Sequence, residues 1–206
     1  MDLATGRTLA RAALRSTEFL AADRIEYPDD RVGAVLETPD GESFTVYRET
    51  ALTARPAETT DGVVLIFGMT VNDRTLAGLT RFALYHRLAN VATPFFVGMP
   101  GFRRKLWLAG EAPGTFLELY EWSSAADAER FVDVLQSLLG PFDATGAASY
   151  EIVSAKSTTA FLEATDYGWR SDEPTARSRR LGRVLPVILA AAIGYVLWRY
   201  AANRGG

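Results

Sequence analysis

The spacing of apolar and polar positions changes along the chain, and each change marks an element. Over residues 4 to 22, Arg7, Arg11 and Arg15 recur at helical spacing with Leu9, Ala13 and Leu20 on the other side, which predicts a short amphipathic helix with a weak apolar face. It reads as a solvated helix in preference to one lying on a membrane surface. RVGAVLE and SFTVYRE then flank the turn residues TPDG as a β-hairpin, with Val32, Ala34 and Leu36 on one face and Phe44 and Val46 on a face of the partner. TALTARPAETTDG follows as a linker ending near Gly62. VVLIFGMTV is a continuous apolar run of the kind that forms a central strand. Leu76, Leu79, Ala83, His86 or Arg87 and Asn90 recur at steps of three and four, predicting a helix that Pro94 breaks. GFRRKLWLA and TFLELYEW form a second hairpin across EAPG. Ser123 or Ser124 caps a helix through AADAERFVDVLQSLLG, whose stripe is Phe131, Val134, Leu135 and Leu138, and ASYEIV is a closing strand. The order strand, helix, strand, strand, helix, strand predicts an α+β, ferredoxin-like (βαββαβ) domain over residues 62–153. Residues 1–61 precede it as an extension made of the N-terminal helix and the hairpin. Residues 154–180 read as a polar linker whose Phe161, Tyr167 and Trp169 can dock on the domain.

The C-terminal pattern is different in kind. Val184 to Trp198 contains no charged residue, and Leu181 to Ala202 contains only Arg183 and Arg199. As a helix the wider segment spans roughly 33 Å, against about 30 Å of bilayer hydrocarbon. It is apolar all round, and Tyr195, Trp198 and Tyr200 lie near one end, as in an interfacial aromatic belt. A transmembrane helix over residues 181–202 is therefore expected, with the lipid bilayer as partner. Four arginines precede its uncharged run and two follow that run, which predicts a single-pass protein anchored by its tail with the bulk of the chain cytoplasmic. The charge divides accordingly. Arg177, Arg179, Arg180, Arg183, Arg199 and Arg204 lie in a tail without acids, leaving 16 bases against 25 acids in the rest of the chain. An acidic body argues against nucleic acid as a partner. With no cysteine and one histidine among 206 residues, thiolate chemistry, disulfides and a histidine-rich metal centre are excluded, and no metal ligands are assigned. No phosphate-binding loop or dinucleotide fingerprint is present, and no cofactor is expected.

The run MPGFRRKLWLAG, followed by GTFLELYEW and a helix, resembles the ferredoxin-like dimeric α/β-barrel superfamily that includes cofactor-free antibiotic biosynthesis monooxygenases. The resemblance covers about residues 62–153 and rests on Pro100, Gly101 and Phe102 on one strand and Tyr120, Glu121 and Trp122 on the other. It implies a homodimer whose two sheets face one another, with a mostly apolar pocket between sheet and helices or at the mouth of the barrel. No catalytic signature accompanies it.

A hairpin turn centred near residues 111 and 112 places Arg104 opposite Tyr120, so that Arg104, Glu118, Tyr120 and Trp122 share one face, with Leu117, Leu119 and Trp107 on the other. Aromatic walls with an ion pair suit a small, flat organic ligand, and the same residues suit cross-strand pairing in a core. His86 has the one side chain whose ordinary pKa fits proton transfer near neutrality, and is the candidate catalytic base, set against an ordinary structural role. Three functions follow: a membrane-anchored module binding a small apolar or aromatic ligand, a cofactor-independent monooxygenase acting on a lipophilic aromatic substrate, or a dimerisation scaffold for a membrane partner.

Overall fold

A computed structural model describes residues 3–53, 61–71, 93, 95–112, 114–139, 145–164 and 168–170. Helix α1 (Leu3–Ala21) leads to a short strand β1 (Ile25–Glu26) and the hairpin β2 (Val35–Glu37) and β3 (Ser43–Leu52). Strands β4 (Val63–Val71), β5 (Phe102–Gly110) and β6 (Thr115–Trp122) precede helix α2 (Ala125–Leu139), strand β7 (Thr145–Ser154), helix α3 (Thr158–Ala164) and strand β8 (Gly168–Arg170). The helix expected over 76–90, with His86 on it, and the span expected over 181–202 lie outside the described residues. Among the described residues no helix is long and apolar enough to cross a membrane.

The strands form one eight-stranded sheet in the order β7-β4-β6-β5-β3-β2-β8, with β1 also on β3 and every pair antiparallel. Its first four members have the ferredoxin-like order, in which the first strand of the motif (β4) lies between the last (β7) and the third (β6). The hairpin and β8 extend that sheet past β5, so β3 begins the same core and is no separate appendage: Phe44 to Ala51 pair with Gly110 to Arg104. β3 also runs on through Thr50, Ala51 and Leu52, residues expected in a linker.

Alternation along the strands gives the sheet two buried faces. On one, Val63, Leu65, Phe67, Trp107, Phe116, Tyr120 and Trp122 pack with Leu9 and Phe19 of α1, Phe131 and Val132 of α2, and Phe96. On the other, Val64, Ile66, Leu106, Leu108, Leu117 and Leu119 pack with Ala34, Leu36, Phe44 and Val46 of the hairpin and with Phe161 and Leu162 of α3. The face that the resemblance gives to a second copy is thus covered within one chain, and Leu106, Leu108 and Leu119 have no exposed surface there. The segment expected as a linker after Val153 accordingly folds as α3 and β8, with Phe161 docked and β8 paired to β2. Glu121 fixes it: its carboxylate accepts hydrogen bonds from the Thr158 backbone N–H and hydroxyl, both at 3.1 Å, and lies 3.5 Å from Arg103 Nε.

α1 is a packing helix, with Leu9, Ala12, Ala13, Ser16 and Phe19 buried. Small residues permit close approach. A Cβ built on Gly98 would stand 1.8 Å from the Ala12 carbonyl oxygen, so glycine alone lets the segment carrying Phe96 pass beneath α1. Ser124 caps α2, accepting from the Asp127 N–H at 3.3 Å.

Candidate functional site

The β5–β6 register decides which charged side chains meet. Its loop runs from Glu111 to Gly114, where Gly114 takes φ +88°, and it pairs Lys105 with Tyr120 and Trp107 with Glu118. The centre lies one residue later than the sequence suggests, and Lys105 and Trp107 join Glu118 and Tyr120 on the helix face. A bulge between Phe102 and Arg104 then lets Phe102 share that face while Arg104 turns to the opposite one. Arg104 is therefore separated from Glu118, Tyr120 and Trp122, and pairs with Glu49 across the β3–β5 ladder, where Arg31 lies 3.6 Å from the same Glu49 oxygen. Burial raises the Glu49 pKa against the opposing pull of Arg104 and Arg31. Leu117 and Leu119 take the face expected of them; Trp107 does not.

On the helix face the pairing sets out two rows, Arg48, Trp107, Glu118 and Thr50, Lys105, Tyr120. Lys105 Nζ donates to the Tyr120 hydroxyl at 2.6 Å and lies 2.8 Å from Glu118 Oε2; the Tyr120 hydroxyl donates to that same carboxylate oxygen. The ammonium stands 3.0 Å from the Trp107 ring centroid, 4.3 Å from that of Tyr120 and 4.8 Å from that of Phe96. Trp107 is itself oriented by donating its indole N–H to Thr50 Oγ1 at 3.3 Å. All three ionisable groups are buried, Lys105 at 1 % exposure. Burial lowers the Lys105 pKa to about 7, opposed by Glu118 and reinforced by Arg48. Burial, with Glu118 beside it, pushes the Tyr120 phenol well above its ordinary value. Near neutral pH the site therefore holds an amine close to half-protonated next to a neutral phenol.

Arg48 connects this cluster to the surface, its guanidinium lying 5.5 Å from the Trp107 centroid and 5.2 Å from that of Tyr27, which is 38 % exposed. Burial lowers the Arg48 pKa against the pull of Tyr27 and Tyr47. Trp122 is fully buried beside Tyr120, Phe102 and Phe131, at centroid distances of 6.3, 5.6 and 5.1 Å, and its indole N–H has no hydrogen-bond partner among the described residues. A separate groove of about 510 Å³ lies by the β2–β3 turn, lined by Phe44, Ile66, Leu117, Ser149 and the carboxylates Asp40, Glu42 and Glu151. None of the cluster residues lines it.

The sequence-based site thus keeps Glu118, Tyr120 and Trp122 together, loses Arg104 to the other face, and leaves His86 outside the described residues. It misses Lys105, Trp107, Thr50 and Phe96. Gly114, a glycine closing the hairpin loop, was the signal for the true register.

The sequence matches no protein family profile and no curated protein. Among solved structures it is similar to a mutant of SnoaB, a cofactor-independent oxygenase from Streptomyces nogalater, at 18% identity over 48% of this chain and 96% of that one, with a TM-score of 0.37. It is also similar to a ferredoxin-fold protein related to antibiotic biosynthesis monooxygenases from Listeria monocytogenes (12% identity, 67% of this chain and 86% of that one, TM-score 0.40). A heme-degrading enzyme from the same organism is comparable (13% identity, 67% and 91%, TM-score 0.38). At these TM-scores the likenesses carry nothing about activity; the ferredoxin-like assignment rests on the strand order and register.

Proposed function

We propose that this chain binds a small, flat aromatic molecule bearing an ionisable or polar oxygen against the helix face of its sheet, with Lys105 as the group that meets that oxygen. One observation carries the reading: Lys105, Tyr120 and Glu118 are sealed together among Trp107 and Phe96. Burying an amine in a carbon-rich core is costly, and among the described residues its polar partners are the Glu118 carboxylate and the Tyr120 phenol. A core position gains nothing from a half-protonated amine; a ligand oxygen does, since the amine is then a donor when charged and a base when neutral. Arg48 and Tyr27 mark the approach from solvent. Quenching of tryptophan fluorescence by 1-naphthol tests this. Saturable quenching that Lys105→Met weakens at least tenfold, with the fold intact by circular dichroism, supports it; quenching unaffected by Lys105→Met defeats it.

A second reading, a cofactor-independent monooxygenase, is favoured by the Lys105 pKa of about 7. A neutral amine there can take a proton from a quinol-type substrate, whose electron-rich anion is the species that reacts with dioxygen. Oxygen consumption with hydroquinones, lost in Lys105→Met, would support it; a rate equal to that without protein would exclude it. The membrane anchor at 181–202 and the cytoplasmic location belong to this proposal too, on the apolar tail and its flanking arginines; the homodimer rests on the resemblance alone, and the sheet face that the resemblance would use is covered within one chain.

A further inference from the structure

We propose that Lys105 is a nucleophile, capturing aromatic aldehydes or ketones as an imine on its Nζ, with Tyr120 moving the protons and Glu118 facing the resulting cation. The inference rests on the reading above, that flat aromatic molecules reach this cluster, and adds the bond that forms there.

Imine formation needs a neutral amine, a nearby acid to load protons onto the departing oxygen, and a dry site in which the product survives. The cluster supplies each. Nζ lies 2.6 Å from the Tyr120 hydroxyl and 2.8 Å from Glu118 Oε2, so phenol and carboxylate flank the same nitrogen. Lys105, Tyr120 and Glu118 are 1, 2 and 4 % exposed. Burial holds a large fraction of the amine neutral near pH 7. The Trp107 and Phe96 rings beside Nζ offer stacking surface for an aryl group.

The steps balance without an oxidant or reductant. The Nζ lone pair attacks the carbonyl carbon; a C–N bond forms and the carbonyl π pair moves to oxygen, which takes the Tyr120 proton. The cationic nitrogen returns a proton to the Tyr120 oxygen, leaving a neutral carbinolamine. Tyr120 then protonates the hydroxyl, the nitrogen lone pair expels it as water, and a C=N bond forms. Glu118 stands against the iminium charge until the nitrogen gives its last proton back to Tyr120. Both amine hydrogens end on the departing oxygen, and the reaction is amine plus carbonyl to imine plus water.

The composition makes the test clean, because Lys105 and Lys156 are the chain's two lysines and Lys156 is exposed. The purified full chain is incubated with benzaldehyde at pH 7, treated with cyanoborohydride to fix imines as secondary amines, and mapped by peptide mass spectrometry. The expected result is modification of Lys105 faster than of Lys156. Tyr120→Phe should slow Lys105 labelling on the order of 10²-fold while leaving Lys156 unchanged. Labelling confined to Lys156 and the terminal amine, or reaching Lys105 only in denaturant, overturns the proposal. A parallel titration with 1-naphthol, which has no carbonyl, separates the two readings. If naphthol binds with its dependence on Lys105 and benzaldehyde leaves Lys105 unmodified, imine capture falls and the binding reading stands; if neither engages the site, both fall.

Discussion

Replacing Lys105 by methionine keeps most of the buried side chain's volume and removes its charge, so the stability of the two proteins must diverge with pH. In the folded chain the amine has a pKa of about 7, against an ordinary 10.5. Between those values the unfolded chain holds a proton that the folded chain lacks, so wild-type stability rises with pH through the interval. The full gap corresponds to ~5 kcal/mol, all of it a cost below pH 7 and none of it above the unfolded pKa. Tyr120 acts oppositely at the alkaline end, because its phenol, raised in the fold, ionises first in the unfolded chain and stability falls there. The clean window therefore runs from about pH 7 to about pH 9.5, over which the wild type should gain ~3 kcal/mol relative to Lys105→Met. Guanidinium unfolding at half-unit pH steps measures this, provided the denaturant dependence stays the same for both proteins. Subtraction removes every other group that titrates alike in the two. A comparison at one pH decides little, since the substitution also strips Glu118 of its cation. Parallel curves would refute the reasoning: Lys105 would then keep its ordinary affinity for the proton, water would reach it, and neither base nor nucleophile could be built on it.

Three other perturbations probe the frame around the site. Gly98→Ala drives a methyl group into the Ala12 carbonyl of α1 and should cost about 1–3 kcal/mol in thermal or denaturant unfolding, whereas an unchanged midpoint would mean that α1 is not fixed against this segment. Glu121→Ala leaves Arg103 without its buried carboxylate and Thr158 without its acceptor, a loss of about 3–5 kcal/mol; limited proteolysis should then cut near residues 155–170, and Glu121→Gln, which keeps an acceptor, should resist longer. Removing residues 181–206 should move the protein from the membrane pellet to the supernatant of lysed cells, and a full-length chain already in the supernatant would overturn the anchor.

What the sequence discloses follows from which forces leave a periodic trace. β4 stands where its apolar run places it, because a strand buried on both faces is nearly all hydrophobic and little else fits it. α1 was underestimated for the opposite reason. Between Leu9 and Phe19 its packing face is made of Ala12, Ala13 and Ser16, and small residues count for little in a hydrophobic pattern although they permit the closest approach. The segment after Val153 looked like a tether because Phe161 and Leu162 are its main apolar contribution; what holds it is Glu121, distant in sequence, whose carboxylate binds Thr158.

The chemical cluster was hidden by arithmetic of a single residue. In FRRK three cations are consecutive and in ELYE the two acids lie three apart, one on each face, so each possible register yields a plausible cation near a plausible anion, and opposite charges alone cannot choose between Arg104 and Lys105. The choice is made by the length of the loop closing at Gly114, while the bulge at Arg103 brings Phe102 back to the helix face. A second irregularity, between Val46 and Arg48, lies on the neighbouring strand in the row of Trp107. Bulges re-aim side chains at the expense of ladder hydrogen bonds, and here two of them border the rows that hold the buried amine. A third irregularity, between Thr70 and Val71 on the β4–β7 ladder, lies five residues along β4 from Leu65, the partner of Tyr120, so bulges alone do not mark the site; what the two near Lys105 do is decide which side chains share its face.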